Sequence, residues 1–290
     1  MRVTGYDKFQ MTQHYLTKIE TESVKKQQQI ATGKQFNRVS DDPVRVNRSM
    51  LMDVTESRLN QYQANVNDTK SLLQYMDVTF DSASSALDEA KEIGIKGAND
   101  TYSDSDRVTL SNSVEEIIKQ MVGLANSQHL DRYMFSGEKI NVKPIDYDGT
   151  TFTYNGNDKD MSVRVSDDVN VTVTQSAEQV FVPALNELVK LRDALKNNDQ
   201  DGIEAALGGV QAESNKFIDN RAKIGVQTKS VELLYESYSQ VKLDLSVKRQ
   251  ENDDVDMTTA ISDFSYMQSI YQATIQSSLK MMQNSILDYI

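Results

Sequence analysis

Residues 52–90 read MDVTESRLNQYQANVNDTKSLLQYMDVTFDSASSALDEA, and this stretch decides the fold. Met52, Thr55, Leu59, Tyr62, Val66, Thr69, Leu73, Met76, Phe80, Ala83, Leu87 and Ala90 recur at alternating steps of three and four. Most are apolar. That period marks one narrow buried seam on a single long helix, as in a coiled coil or bundle. No proline lies between Pro43 and Pro144, or after Pro183. Both runs are therefore free of the residue that costs a helix interior about 3 kcal/mol. Gly94 and Gly97 mark the end of the seam.

Working outward, Leu110, Val114, Ile117, Met121 and Leu124 continue the helical period. They follow Ser103-Asp104-Ser105-Asp106, whose oxygens suit the unsatisfied amides of a helix start. Phe181, Leu185, Leu188 and Leu195 form a later face, and Ile203, Leu207, Val210 and Phe217 another. Val231, Leu234, Tyr238, Val241 and Leu245 form a third. The last helix carries Phe264, Met267, Tyr271, Ile275, Leu279, Met282, Ile286 and Ile290. Between the halves the pattern changes to alternating, β-branched runs at 151–154, 161–165 and 169–173. Tyr147-Asp148-Gly149-Thr150 and Tyr154-Asn155-Gly156-Asn157 supply turn residues that accept positive φ. The predicted fold is mainly α with a small inserted β domain. It is elongated, with long antiparallel helices from both chain halves, and the first and last helices pair.

The 290 residues hold 31 Lys+Arg against 43 Asp+Glu, a formal charge of -12. Residues 1–43 carry +2 and 257–290 only Asp263, Lys280 and Asp288, which leaves -13 on 44–256. A solvated helix is normally ringed with charge; one that buries several faces need not be. A single apolar stripe on the last helix recovers less than the entropy of ordering it. Both ends are therefore expected to be disordered or frayed in the free chain and to order on polymerisation or chaperone binding.

The acidity argues against nucleic-acid binding, which needs a basic footprint. With no Cys there are no disulfides, thiolate metal sites or cysteine nucleophiles. The start has no apolar core of a signal peptide, and no apolar run of 18 residues would insert in a membrane. His14 and His129 stand alone on predicted helices. No nucleotide-binding, hydrolase or metalloprotease motif occurs. Asp253-Asp254-Val255-Asp256 lacks the glycine and glutamate of a calcium loop and reads as a solvated charge run or a helix cap. Asn155 to Asp160 reads as a hairpin tip. No catalytic residue, cofactor or metal site is expected.

Gly33-Lys34 is followed by Asn37-Arg38-Val39-Ser40-Asp41-Asp42-Pro43, then Ala98-Asn99, Asp106-Arg107 and Ala125-Asn126. Tyr133-Met134-Phe135-Ser136-Gly137, Asn220-Arg221-Ala222-Lys223-Ile224-Gly225 and Ser285-Ile286-Leu287-Asp288-Tyr289-Ile290 complete the series. In this order, and over nearly the whole length, these segments resemble the flagellin family. Asp42-Pro43 and the closing Leu-Asp-Tyr-Ile are more similar to the branch that joins hook and filament than to filament flagellin.

The resemblance implies a structural, non-enzymatic part of the flagellum at the hook–filament junction. It implies a terminal coiled-coil domain with connecting spoke (1–43 and 251–290), a helical rod (44–130 and 181–250, with helices at 44–100, 104–129 and 205–250) and a small outer β domain (131–180). The implied partners are other copies in a ring, hook-associated protein 1, flagellin and an export chaperone. Secretion through the flagellar type III apparatus would place the protein outside the cell. The expected polymer contacts are Phe9, Leu16, Ile19, Phe264, Met267, Tyr271, Ile275, Leu279, Met282 and Ile286. Asp41, Asp42 and Pro43 form a cap and hinge; from the residues alone, Asp42 caps the helix that Pro43 opens. A minor filament-forming flagellin and an intracellular helical adaptor are the rival readings.

Overall fold

The structure, a computed structural model, describes residues 5–287. Helices α1 (Gly5–Thr32), α2 (Pro43–Gly97) and α3 (Asp104–Ala125) come first. Six short strands follow: β1 (Gln128–His129), β2 (Arg132–Tyr133), β3 (Ile145–Tyr147), β4 (Phe152–Tyr154), β5 (Ser162–Arg164) and β6 (Asn170–Thr172). Then come α4 (Ala177–Val180), α5 (Val182–Lys196), α6 (Gln200–Asp253) and α7 (Met257–Leu287). The fold is mainly α with a small β part. The strands pair only as neighbours, in three antiparallel hairpins. The chain divides into two compact units, Met1–Arg58 with Gln240–Ile290, and Leu59–Ser239.

The unit Leu59–Ser239 holds the core. Every seam position of α2 from Val66 to Ala90 is buried. Phe80, Phe135, Phe181 and Phe217 meet there with ring centroids 4.9–6.2 Å apart. They arrive from α2, the loop after β2, the α4–α5 joint and α6, so one aromatic cluster ties four segments together. Gly94 and Gly97 let α2 approach its neighbours: an added Cβ at 94 would lie 2.6 Å from Leu207, and one at 97 would strike Leu195. The start of α3 carries a full capping box between Ser103 and Asp106. Buried Arg107 donates to the carbonyls of Gly97 (2.9 Å) and Asn99 (3.3 Å) and to Asn198, closing the α2–α3 turn.

Each hairpin is held to helices. His129 in β1 packs on Tyr75 and lies 3.3 Å from Ser71. Arg192 of α5 donates to Glu115 (2.7 Å) and Tyr147 (2.8 Å), gripping β3–β4. Tyr238 donates to the carbonyl of Val165 at 2.6 Å and stacks on Tyr62, which donates to Asp167.

Three expectations are corrected. Residues 155–160 are not a hairpin tip; they link two separate hairpins, β3–β4 and β5–β6. The third helix ends at Ala125 rather than running to 129, and His129 sits on a strand. The cause is a tight turn at Leu130-Asp131, where both residues adopt positive φ (51° and 60°) and fold the chain back as β2.

Candidate assembly interface

The unit Met1–Arg58 with Gln240–Ile290 is built differently. Its α1 and α7 run antiparallel, with Lys26 paired to Asp263 at 2.9 Å. Leu16, Ile19 and Ile30 of α1 are half-buried at helical spacing. So are Phe264, Met267, Tyr271 and Ile275 of α7. Six of these seven, all but Ile30, were expected as contacts between copies; here they are partly covered within the single chain. Phe9 and Leu279 remain exposed, at 45% and 57%. Met282 and Ile286 lie outside the residues whose side chains are described. The outer faces of the pair carry further apolar groups: Met11, Tyr15 and Val24 on α1, and Ile261 and Tyr266 on α7. Over α7 the only charged residues are Asp263 and Lys280. Among the described residues of this unit, Ala260 is the single fully buried apolar side chain.

What is buried instead is polar, and it lies where the two connections of the unit meet. Gly33 ends α1 in the left-handed region (φ 70°), its amide returning to Gln29 at 2.9 Å. Gln35 N donates to Asp253 O at 2.7 Å, and Val255 N to Gly33 O at 3.0 Å. The link into α2 is thereby clamped against the link out of α6. Side chains from distant segments complete the clamp. Ser49 donates to the Asp253 carboxylate at 3.1 Å, and Lys34 pairs with Asp254 at 2.9 Å. Arg45 donates to Gln35 and to the carbonyl of Asn252, whose amide returns to the Arg45 carbonyl at 3.0 Å. Arg249 pairs with Asp53 and with Glu56.

The predicted cap and hinge residues belong to this clamp. Asp41 accepts from the amides of Asn37 (3.1 Å) and Arg38 (3.0 Å) and pairs with Lys25. The Asn37 amide, then that of Arg38, holds its carboxyl below the usual range. Asp42 accepts from the amide of Arg45 at 3.0 Å, and Pro43 is the first residue of α2. Of the acidic run only Asp256 is a cap, accepting from the Thr258 and Thr259 amides and the Thr259 hydroxyl; Asp253 and Asp254 belong to the clamp. That hydroxyl, followed by the two amides, lowers the pKa of Asp256. Among the described residues no acidic or histidine group is arranged to hold a metal ion. No described helix is long and apolar enough to cross a membrane. Sequence reasoning missed Arg45, Ser49, Arg249 and Asn252. Their partners lie some two hundred positions away, and no local pattern announces such a pairing.

Residues 7–140 match the bacterial flagellin N-terminal helical region. Flagellar hook-associated protein 3 of Salmonella typhimurium is 22% identical over 99% of this chain and 98% of its own length. Over nearly half of its length the chain is thus similar to the flagellin family. Family likeness also extends to the flagellin of Listeria monocytogenes, 22% identical over 94% of this chain and 92% of that protein. In fold, FlgL of Bacillus cereus superposes with a TM-score of 0.62 at 21% identity, covering 69% of this chain and 99% of that one.

Proposed function

We propose that this chain is a structural component of the bacterial flagellum, joining the hook to the flagellin filament. Copies associate in a ring through α1 and α7, which form its inner coiled-coil layer. The ring meets hook-associated protein 1 on one side and the first flagellin subunits on the other. The subunits leave the cell through the flagellar type III apparatus, accompanied by an export chaperone, and the chain performs no catalysis. We assign the terminal domain to 1–43 and 251–290, the rod to 44–130 and 181–250, and the outer β domain to 131–180.

The observation that carries this reading is the outer face of the α1–α7 pair. Tyr266 is 68% exposed on α7, a helix with two charges; Ile261 and Leu279 are exposed elsewhere along it, and Phe9 is exposed on α1. Faces that are apolar and almost uncharged are stable against other chains rather than water. The match to a hook-associated protein over nearly the full length of both chains supports the junction.

Gold-labelled antibody on purified flagella tests it. Label confined to the boundary between hook and filament is expected; label along the filament would identify a minor flagellin instead. Seeded polymerisation separates the same two readings, because a flagellin extends filaments alone and the junction protein does not.

A further inference from the structure

The segment that joins β4 to β5 opens with Asn155-Gly156, the one Asn-Gly pair in the sequence. Both residues have a structural use. A Cβ added to Gly156 would strike the Tyr154 phenol and lie 2.8 Å from the Ser136 carbonyl oxygen. The phenol is itself held, because its hydroxyl donates to the Asn157 carbonyl at 2.9 Å. No bulkier residue fits at 156 without moving it. The Asn155 side-chain amide donates to the Asp146 carboxylate at 2.8 Å. The fold thus keeps together a pair with labile chemistry. With no side chain on the following residue, its backbone nitrogen can reach the asparagine Cγ and close a five-membered ring.

The surroundings favour that closure. The flanking amides are engaged, Asn155 N with the Pro144 carbonyl at 2.9 Å and Asn157 N with that of Ser136 at 3.2 Å. The Gly156 amide donates to no described residue, so its proton is open to hydroxide. Lys139 Nζ donates to the carbonyls of Asn155 (3.4 Å) and Gly156 (3.3 Å). The first carbonyl shares a peptide group with the Gly156 nitrogen, so the ammonium stabilises the anion formed when that nitrogen loses its proton. Asn155 and Gly156 are half-buried rather than enclosed, and water reaches them.

We propose that Asn155 is a site of spontaneous deamidation, and that its conversion loosens the tie between the β3–β4 hairpin and residues 136–139. The Gly156 nitrogen, having given its proton to hydroxide, attacks Asn155 Cγ. The new N–Cγ bond closes a succinimide, and the Cγ–Nδ2 bond breaks as ammonia leaves with a proton from water. Water then adds to one of the two imide carbonyls. Breaking the N–Cγ bond yields aspartate; breaking the bond from the nitrogen to the Asn155 main-chain carbonyl carbon yields isoaspartate. In both, the nitrogen regains its proton. The balance is one water consumed, one ammonium ion released and one carboxylate made. Lys143, then Asn155, holds the Asp146 carboxyl below the usual range. Asp146 is therefore ionised when a second carboxylate forms beside it, and a hydrogen bond gives way to repulsion. Isoaspartate also lengthens the main chain ahead of Asn157, whose side-chain oxygen accepts from the Glu138 amide at 2.7 Å.

Peptide mapping of the native full-length chain, held at mildly alkaline pH, tests the site. Asn155 is expected to convert before any other asparagine, with isoaspartate among the products and a rate that rises with pH. Lys139→Gln is expected to slow conversion roughly threefold, the effect of a modest change in amide acidity, while Lys139→Arg keeps the wild-type rate. In urea, wild type and Lys139→Gln should convert alike. An Asn155 that stays intact while other asparagines convert would overturn the site. Equal rates for wild type and Lys139→Gln in the folded chain would overturn the part given to Lys139. Exchange protection of the Asn157 amide is expected to fall roughly fivefold in the converted chain and in Asn155→Asp, the weight of about one hydrogen bond. Unchanged protection would overturn the loosening.

Discussion

The two units of this chain differ in what they bury and in how they are charged. Among the described residues, 34 of the fully buried apolar side chains lie in Leu59–Ser239 and one, Ala260, in the other unit. The net charge divides as sharply. Met1–Arg58 with Gln240–Ile290 holds 14 basic and 14 acidic residues, and Leu59–Ser239 carries the whole excess of -12. Burial on that scale stabilises a unit by itself, and surface charge keeps it apart from its like. A unit with neither core nor net charge is suited to be completed by other chains. The difference fits the proposed function, with assembly assigned to the ends and independent stability to the middle.

The strongest way to break this comparison is to charge the ends. Ile275→Lys with Leu279→Lys is expected to abolish filament attachment, seen as hooks without filaments, while thermal melting of the free chain stays as in wild type. Attached filaments and normal motility would refute the role of α7. Next in size is the core: Phe80→Ala should destabilise the free chain by about 3–5 kcal/mol in urea titration, as expected for an emptied aromatic site. Phe264→Ala, half-buried on α7, should leave the midpoint within error. Hydrogen exchange sharpens the contrast further. Amides from Leu73 to Ala90 should open only with global unfolding, and those of 257–280 in the free chain should exchange through local opening. Strong protection of 257–280 in dilute solution would contradict the account.

Smaller effects are expected at the clamp. Asp42→Ala removes the oxygen that receives the Arg45 amide and should cost about 1 kcal/mol of helix stability. Backbone and hydroxyl donors depress the carboxyls of Asp41 and Asp256, so their contribution is present above the unfolded value of 3.8 and is lost as pH falls through the lowered folded values. Acidification below about 3.8 should therefore lower the exchange protection of the Asn37 and Thr259 amides, relative to the unfolded chain at the same pH, before the core responds. Asp41→Asn should remove that pH dependence at Asn37.

Much of the fold was legible because helical seams are local. The steps of three and four along α2 predict the buried positions from Leu59 onward, although Thr55 is exposed. The turn at Gly149 and the strands β4, β5 and β6 follow from Asp-Gly chemistry and alternation. The β1–β2 hairpin was not legible, because Leu130 and Asp131 take a positive-φ turn without glycine or asparagine. β3 was hidden because Pro144 and Asp146 disguise a three-residue strand whose partner fixes it. In the other unit, apolar spacing picked out residues of α1 and α7 that are partly covered within the chain. Their half-burial, and the polar clamp beside them, depend on contacts between residues 33–56 and 249–256 that no single stretch encodes.

The clamp has a mechanical consequence. Lys34 and Asp254 pair in antiparallel fashion, so a pull through α1 and α7 draws both connections the same way. The bonds from Gln35 to Asp253 and from Val255 to Gly33 are then not sheared against each other. Tension passes along two covalent strands in parallel, and the crosspieces only keep them level, as rungs do between the ropes of a ladder.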